Sequence, residues 1–152
     1  LLACCRSRCG CSSFSTGGHT KVSYTLSDNS KKNRSSVNPK LIEISNLALS
    51  ISTVDFGHGP LSGSRTASEQ KALFESKLSM ADGIKHKSRH QSGNALDFYA
   101  FKDGKASWNE EDLAVVAAAF LTASIQLGPG YEIRWGGLFK SFTDMPHVEL
   151  LD

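Results

Sequence analysis

Two short segments far apart in the chain each place a histidine and a carboxylate beside a predicted strand. In the first segment, His90 and Asp97 are seven positions apart, and an alternating apolar pattern begins between them. In the second segment, Asp144, His147 and Glu149 surround the start of another short strand pattern. A fold that joins the two segments would concentrate imidazole and carboxylate groups at one place. This is the strongest constraint that the sequence places on the structure.

Both strand patterns direct these polar residues away from the core. Successive side chains of a strand point to opposite faces of the sheet. In the first pattern, Leu96 and Phe98 share an apolar face, and Asp97 lies on the other face. In the second pattern, His147 and Glu149 share the face opposite two aliphatic residues. The predicted strands therefore leave Asp97 and His147 available for a site.

Imidazole and carboxylate groups are usual ligands of a catalytic zinc ion, which takes three of them and keeps a fourth position for water. His90, Asp97 and His147 supply such a set. Asp144 lies three residues before His147, across a turn fixed by Pro146, where it could act as general base towards a water molecule. Spacing alone does not decide the assignment, because the chain has five histidines and composition does not select two of them.

The other patterns predict helices joined to short strands. Apolar residues recur at helical spacing over 39–51, after Asn38 as N-cap and a proline at the first helical position. Thr66 and Glu69 have capping-box spacing at the start of a second helix. The remaining predicted elements are that helix to about residue 77, a helix at about 109–126, and strands at 53–56, 94–101, 131–135 and 146–150. The sequence predicts one small α+β domain with about three helices and a short, mostly antiparallel sheet around a zinc cleft.

Two finer predictions concern the helices. Leu73 and Phe74 are expected to face inward from the second helix. Ser107 and Glu110 form another pair with capping-box spacing, before the Ala-rich third helix.

The first part of the chain differs from the rest in composition. Residues 12–36 are rich in small polar side chains and predict a linker, in which Tyr24 and Leu26 could belong to a short edge strand with Val22. All four cysteines lie within the first eleven residues, at Cys4, Cys5, Cys9 and Cys11, and no second ligand cluster completes a zinc-ribbon spacing. We expect residues 1–21 to be a flexible leader rich in Cys, Ser and Gly, or a remnant of cloning, and residues 22–152 to be the domain that carries the site.

Charge and hydropathy narrow the class of protein. Residues 1–40 carry seven Lys or Arg and one acid, a net charge of +6, whereas the whole chain carries +2. Such a basic arm could attract a polyanion, but a solvated leader is the preferred interpretation, and we expect no nucleic-acid partner. The longest apolar run, Leu113–Leu121, is too short to cross a bilayer. We expect a globular monomer.

The two-part motif resembles the zinc D-alanyl-D-alanine peptidase superfamily (VanY/VanX-like). The motif consists of Ser88-x-His90-x-x-Gly93-x-Ala95-x-Asp97 and, downstream, Asp144-x-Pro146-His147-x-Glu149. Within that superfamily, the chain is most similar to the L-alanyl-D-glutamate peptidases of bacteriophage endolysins. The resemblance covers about residues 38–150 and includes the stretches that begin at Ser64 and at Arg134.

The resemblance implies roles for individual residues. It makes His90, Asp97 and His147 the zinc ligands and Asp144 the catalytic acid and base. Glu149 is the competing candidate for the base, and its alternative role is to orient a ligand from outside the metal's coordination shell.

Two further residues would contact the substrate if the resemblance holds. Arg65 corresponds to an arginine that binds the substrate and helps to stabilise the transition state, and Ser88 corresponds to a serine that contacts the substrate near the metal. The plainer alternatives are that Arg65 caps a turn or pairs with Asp55, and that Ser88 only forms a hydrogen bond within its loop.

The function implied by the resemblance is that of a zinc metallopeptidase that hydrolyses peptidoglycan stem peptides at the L-Ala–D-Glu bond. Such an endolysin would be made in the cytoplasm of the host bacterium and would act on the cell wall. Two alternatives remain at this stage: a D-Ala-D-Ala carboxypeptidase or dipeptidase, and a non-hydrolytic zinc-containing binding module. The second alternative is disfavoured because the ligands and the acid/base residue are all present.

Overall fold

The computed structural model describes residues 23–151, which fold into four α-helices and two separate three-stranded antiparallel sheets. The helices are α1 (Asp28–Asn33), α2 (Pro39–Ile51), α3 (Ala67–Glu75) and α4 (Glu110–Leu127). The strands are β1 (Asp55–Gly57), β2 (Ala95–Asp97), β3 (Tyr99–Lys102), β4 (Lys105–Ser107), β5 (Ile133–Trp135) and β6 (His147–Leu150). One sheet has the order β1-β3-β4 and the other has the order β2-β6-β5. The predicted α+β class is confirmed, with one more helix than expected and two sheets where one was expected.

The core lies between helices α2 and α4 and the inner faces of the two sheets. Helix α2 begins as predicted, because the Asn38 side chain accepts a hydrogen bond from the Lys40 N–H at 3.1 Å and proline takes the first helical position. Phe98 stacks on Phe120 of α4 with ring centroids 5.2 Å apart. The buried apolar side chains form one cluster that includes residues of both helices and of both sheets. Burial of this surface is the main source of the fold's stability.

The predicted strand over 94–101 is divided between the two sheets. Strand β2 pairs with β6, and β3 pairs with β1 and β4. Phe98 lies at the division, where its N–H donates a hydrogen bond to the Pro146 carbonyl at 2.9 Å. The alternating pattern continues through the division because Leu96 and Phe98 both face the core, so the pattern alone does not reveal the break. Asp97 is consequently the last residue of β2, and β3 of the other sheet begins two residues later.

The segment before α2 is more ordered than its composition predicts. Helix α1 forms where a linker was expected, and Ser27 caps it by accepting a hydrogen bond from the Ser30 N–H at 3.2 Å. Tyr24 and Leu26 do not form the expected edge strand, and Leu26 is buried in the core. A six-residue helix with a polar sequence has no apolar period, which explains the error. The predicted leader and its cysteines lie outside the described residues.

Two predictions about helix boundaries have different outcomes. The capping box of α3 is confirmed, because Thr66 and Glu69 each accept a hydrogen bond from the other residue's backbone N–H. The second capping box is wrong, because Asn109 caps α4 and the Ser107 hydroxyl donates to the Asp112 carboxylate. Ser107 belongs to β4, a strand that was not predicted from the sequence.

The inward face of α3 also differs from the prediction. Phe74 is 44% exposed, whereas Gln70 is completely buried. The Gln70 amide donates hydrogen bonds to the Ser79 hydroxyl at 2.7 Å and the Ala81 carbonyl at 2.9 Å. Helix α3 therefore uses a polar side chain to hold the loop that follows it. Within residues 23–151, no helix combines the length and the apolar character needed to span a bilayer.

Candidate metal centre

The pairing of β2 with β6 brings the two motif segments together. In this antiparallel register, Asp97 lies opposite His147. His90 comes from a one-turn 3-10 helix, Arg89–Ser92, which immediately precedes β2. The turn ends at Gly93, whose φ of +70° lies in the left-handed region that favours glycine. The chain therefore reverses direction over a few residues and places His90 beside Asp97, at the end of β2.

Three side-chain atoms converge at this place. The Nε2 atom of His90 lies 3.1 Å from Oδ1 of Asp97 and 3.2 Å from Nδ1 of His147, and the last two atoms are 3.0 Å apart. Among the described residues, this His-Asp-His group has the geometry to hold a metal ion. Both imidazoles are almost fully buried.

The outer nitrogen of each imidazole determines which atom faces the centre. Nδ1 of His90 lies 2.8 Å from the Gly63 carbonyl oxygen, and this oxygen can only accept a hydrogen bond. Nε2 of His147 lies 3.0 Å from the Glu149 carboxylate, which is likewise an acceptor. In the neutral rings, the proton therefore sits on the outer nitrogen and a lone pair points inward. Two such lone pairs converge on one carboxylate oxygen, and this donor set fits a tetrahedral zinc ion with one open position.

The electrostatics of the group favour a bound cation. Burial would raise the pKa of Asp97, but the charges and hydrogen bonds of His90 and His147 hold it well below the usual range. Burial would lower the pKa of His147, but the carboxylates of Asp97 and Glu149 raise it to about 9. Asp97 is thus an ionised acceptor in a mostly enclosed site, and its charge attracts a positive partner.

Asp144 lies next to this group, in the turn that leads into β6. Its N–H donates to the Gly136 carbonyl at 3.0 Å, and its own carbonyl accepts from the His147 N–H at 3.2 Å. Its half-buried carboxylate makes no hydrogen bond within residues 23–151 and interacts electrostatically with Asp97, both imidazoles and Arg65. Burial raises the pKa of Asp144, and the negative charge of Asp97 raises it further.

Arg65 contacts the group from the side opposite the histidines. Its Nη2 donates to Oδ2 of Asp97 at 2.5 Å, and its Nε donates to the Leu61 carbonyl at 2.6 Å. Asp97 therefore offers one oxygen to the histidine side and the other to the guanidinium. The alternative pairing of Arg65 with Asp55 is wrong, since Asp55 lies on β1 and uses its carboxylate to accept from the Phe56 N–H.

Ser88 caps the 3-10 helix that carries His90. Its hydroxyl oxygen accepts from the His90 N–H at 3.3 Å. Ser88 also lines a surface cavity of about 480 Å³, which is formed by Arg65, Thr66, Ala67, Lys87, Ser88, Arg89, Gln91 and Ser92. Ser88 therefore forms a hydrogen bond within its loop and also lines the same cavity as Arg65.

Glu149 stands on the outer side of His147, away from the converging atoms. One carboxylate oxygen accepts from His147, and the other accepts from Arg134, whose Nε lies 3.2 Å away. Burial would raise the pKa of Glu149, but the contacts with His147 and Arg134 lower it to about 2. Glu149 is therefore an ionised hydrogen-bond acceptor that fixes the orientation of the His147 ring.

His58, a residue that was not predicted to belong to the site, lies directly behind Asp97. Nδ1 of His58 is 2.7 Å from the Asp97 backbone carbonyl oxygen, and its ring is buried between Phe56 and Phe120. Burial lowers the pKa of His58 to about 4, so the ring is neutral in ordinary conditions. No motif marks this residue, because it follows β1 in a segment with no recognisable spacing to the ligands.

Comparisons with known proteins agree with this architecture. The family model described as phage L-alanyl-D-glutamate peptidase matches residues 22–151. The chain is 31% identical over 124 residues to the L-alanyl-D-glutamate peptidase of Escherichia phage T5, a match that covers 81% of this chain and 87% of the relative. It is also similar to the crystal structure of Serratia marcescens L-Ala D-Glu endopeptidase ChiX, with a TM-score of 0.73, 29% identity, and coverage of 89% of this chain and 94% of the other. The chain belongs to the phage L-alanyl-D-glutamate peptidase family.

Proposed function

We propose that the chain hydrolyses the L-Ala–D-Glu bond of peptidoglycan stem peptides with a zinc ion held by His90, Asp97 and His147. Membership of the family supports the peptidase activity. The single observation that carries the metal assignment is the convergence of two imidazole nitrogens on one carboxylate oxygen. When bound, zinc would polarise the scissile carbonyl and lower the pKa of a water molecule.

Asp144 acts in this proposal as the general base and then as the general acid. Its carboxylate takes a proton from the attacking water, and the water oxygen forms the new bond to the carbonyl carbon. When the C–N bond breaks, Asp144 returns the proton to the departing amine. The position of Asp144 supports this role, because its carboxylate has no hydrogen-bond partner within residues 23–151 and lies within electrostatic range of Asp97 and both imidazoles.

Arg65 and Ser88 would contact the substrate from the adjacent cavity. Arg65 lines that cavity while it holds the outer oxygen of Asp97. Lys87 and Arg89 line the same cavity, so its wall carries three cationic side chains, a charge that suits the carboxylates of an acidic stem peptide. Arg65 would also offset negative charge that develops on the carbonyl oxygen.

One experiment tests the activity and the bond together. Purified peptidoglycan is digested with the wild-type protein loaded with zinc, and the released fragments are identified by mass spectrometry. We expect fragments that end in L-Ala and partners that begin with D-Glu. Loss of a terminal D-Ala alone would contradict the proposal and indicate the D-Ala-D-Ala activity, whereas zinc uptake without any cleavage would indicate a binding module.

A matched pair of variants separates the base from the residue that orients a ligand. We expect Asp144→Asn to keep one equivalent of zinc and to lose about 10²- to 10⁴-fold in kcat. We expect Glu149→Gln to bind zinc about 10- to 100-fold more weakly but to regain most of its kcat when zinc is saturating. Loss of kcat in the Glu149 variant at saturating zinc, with an active Asp144 variant, would instead make Glu149 the base.

Three remaining assignments belong to this proposal. Residues 22–152 are the catalytic domain behind a leader of residues 1–21, the chain acts as a monomer, and it works on the cell wall after synthesis in the host cytoplasm. Light scattering of the zinc-loaded protein tests the second assignment, with a mass near 16.4 kDa expected for the monomer.

A further inference from the structure

His58 is a buried polar residue that the proposed mechanism does not use. Its ring is 1% exposed and packs edge-on against Phe56 and Phe120, at centroid distances of 5.8 and 6.4 Å. An apolar side chain would suit such a place, since a buried polar group costs free energy unless it is hydrogen-bonded. Both ring nitrogens of His58 are in fact hydrogen-bonded, and their partners indicate what the residue does.

The two partners determine the state of the ring. Nδ1 faces the Asp97 backbone carbonyl at 2.7 Å, and a carbonyl can only accept, so Nδ1 carries the proton. Nε2 then accepts from the hydroxyl of Ser45, 2.9 Å away on α2. The backbone N–H of His58 is fixed in turn by the Ser30 hydroxyl at 3.1 Å. His58 thus links the interior of α2 to the backbone of a proposed zinc ligand.

The segment that begins at His58 touches both ligands of the first motif. The Ser62 carbonyl accepts from the Asp97 N–H at 2.8 Å, so this segment holds Asp97 through both its N–H and its carbonyl. The Gly63 carbonyl orients the His90 ring at 2.8 Å. These contacts matter because Asp97 is the last residue of β2 and the chain leaves that sheet immediately after it. A ligand at the end of a three-residue strand needs anchors other than the sheet.

We propose that His58 is a positioning residue that fixes the backbone of Asp97, and thereby the direction of its carboxylate, for the zinc centre. The inference rests on the proposed function, because it assumes that Asp97 binds zinc. The hydrogen bond from Nδ1 is the essential feature, whereas the ring itself serves mainly to fill the core between Phe56 and Phe120. The hydrogen bond and the packing can be separated by substitution. The amide of Asn reaches the position of Nδ1, and the longer amide of Gln reaches the position of Nε2.

His58→Asn and His58→Gln form the matched pair. The amide nitrogen of Asn reaches the position of Nδ1 and can still donate to the Asp97 carbonyl, whereas the amide of Gln reaches the position of Nε2 and meets Ser45 instead. Both variants remove the aromatic ring, so both lose core packing. We expect the zinc affinity of wild type for His58→Asn and about 10-fold weaker binding for His58→Gln.

Zinc affinity is measured by competition with a chromogenic chelator, and unfolding by urea is measured on the same samples. Cobalt substitution adds a readout of ligand geometry, because the visible absorption of bound Co²⁺ depends on its coordination. We expect the wild-type spectrum in His58→Asn and an altered spectrum in His58→Gln. Equal affinity and equal spectra in the two variants would overturn the inference and leave His58 with a packing role only.

Two controls keep the outcomes distinct. If the wild-type protein binds no zinc, the proposed function fails rather than the inference about His58. If His58→Gln does not fold, Ser45→Ala tests the positioning role instead. This variant keeps the His58 ring and removes only the hydroxyl that fixes the orientation of the ring. We expect about 3-fold weaker zinc binding in Ser45→Ala, and an unchanged affinity there would contradict the positioning role.

Discussion

At the scale of single residues, Asp144 has the environment that bears most directly on catalysis. Burial and the like charge of Asp97 both raise its pKa, while His147, His90 and Arg65 oppose part of that rise. A base whose pKa is raised towards the working pH accepts a proton more readily than an ordinary aspartate. The proposed ligand Asp97 would therefore have a second effect, because its negative charge would make Asp144 a better base.

The raised pKa of Asp144 predicts the acid limb of the pH–rate profile. Since the proposed mechanism needs the ionised carboxylate of Asp144, kcat/KM should fall as pH falls through a pKa that lies above the ordinary aspartate value of 3.8. The measurement is hydrolysis of a defined muropeptide from about pH 4 to pH 8, with zinc content checked at each pH. In Asp144→Asn the residual activity should lack this limb. An identical limb in the variant would assign the titration to another group.

The sequence contained enough to predict the three residues that converge, but not His58, which lies behind them. His90, Asp97 and His147 belong to a spaced motif, and the structure brings all three together. His58 acts on a backbone carbonyl 39 positions away, and a contact of that kind leaves no spacing to detect. The spacing leaves two alternative roles open for Glu149, and the contact of its carboxylate with the outer nitrogen of His147 supports the orienting role.

At the scale of elements, the turn between β5 and β6 determines the position of Asp144, the proposed base. Gly136 begins this turn, and the Asp144 backbone packs directly against it. A Cβ atom at Gly136 would lie 2.4 Å from the Asp144 carbonyl oxygen and 3.1 Å from the Cβ of His147. Glycine is needed here because of this close approach between two backbones.

Gly136→Ala should therefore displace Asp144, the proposed base, and reduce activity. The clash is with backbone atoms, so the turn must shift, at a cost of about 1–3 kcal/mol in the free energy of unfolding. A displacement of this kind should lower kcat by about 10²-fold at saturating zinc. Gly59→Ala is the control, because a Cβ there meets no atom within 4 Å. Unchanged kcat in Gly136→Ala would show that the turn tolerates the shift.

Helix boundaries were predictable to the extent that local capping determines them. Asn38 and Thr66 cap α2 and α3 as their sequences indicate. The division of the strand after Asp97 was not predictable, because the apolar alternation continues through it and only the pairing of β2 with β6 and of β3 with β1 separates the two parts. The position of this break depends on which strands pair in the folded chain, and the alternation of apolar residues does not specify that pairing.

At the scale of the whole molecule, the proposed metal centre joins two segments that are far apart in the sequence and are also paired through β2 and β6. His90 and Asp97 come from a 3-10 turn and its adjoining strand, and His147 comes from the final strand, 57 residues after His90. Without a cation, the raised pKa of His147 keeps its ring protonated, and Nδ1 donates to the buried Asp97 carboxylate. A bound ion would replace this proton and add a link between the two segments.

Zinc should consequently stabilise the folded chain. At a free zinc concentration of 100 Kd, the stabilisation is about 2.7 kcal/mol, which corresponds to a rise in Tm on the order of 10 °C for a domain of this size. The measurement is thermal unfolding by circular dichroism with zinc and with a chelator. His90→Ala should lose the response because it removes a proposed ligand, whereas His86→Ala should keep it, since His86 is exposed on the surface. An equal zinc response in the His90 variant would place the stabilising ion elsewhere in the chain.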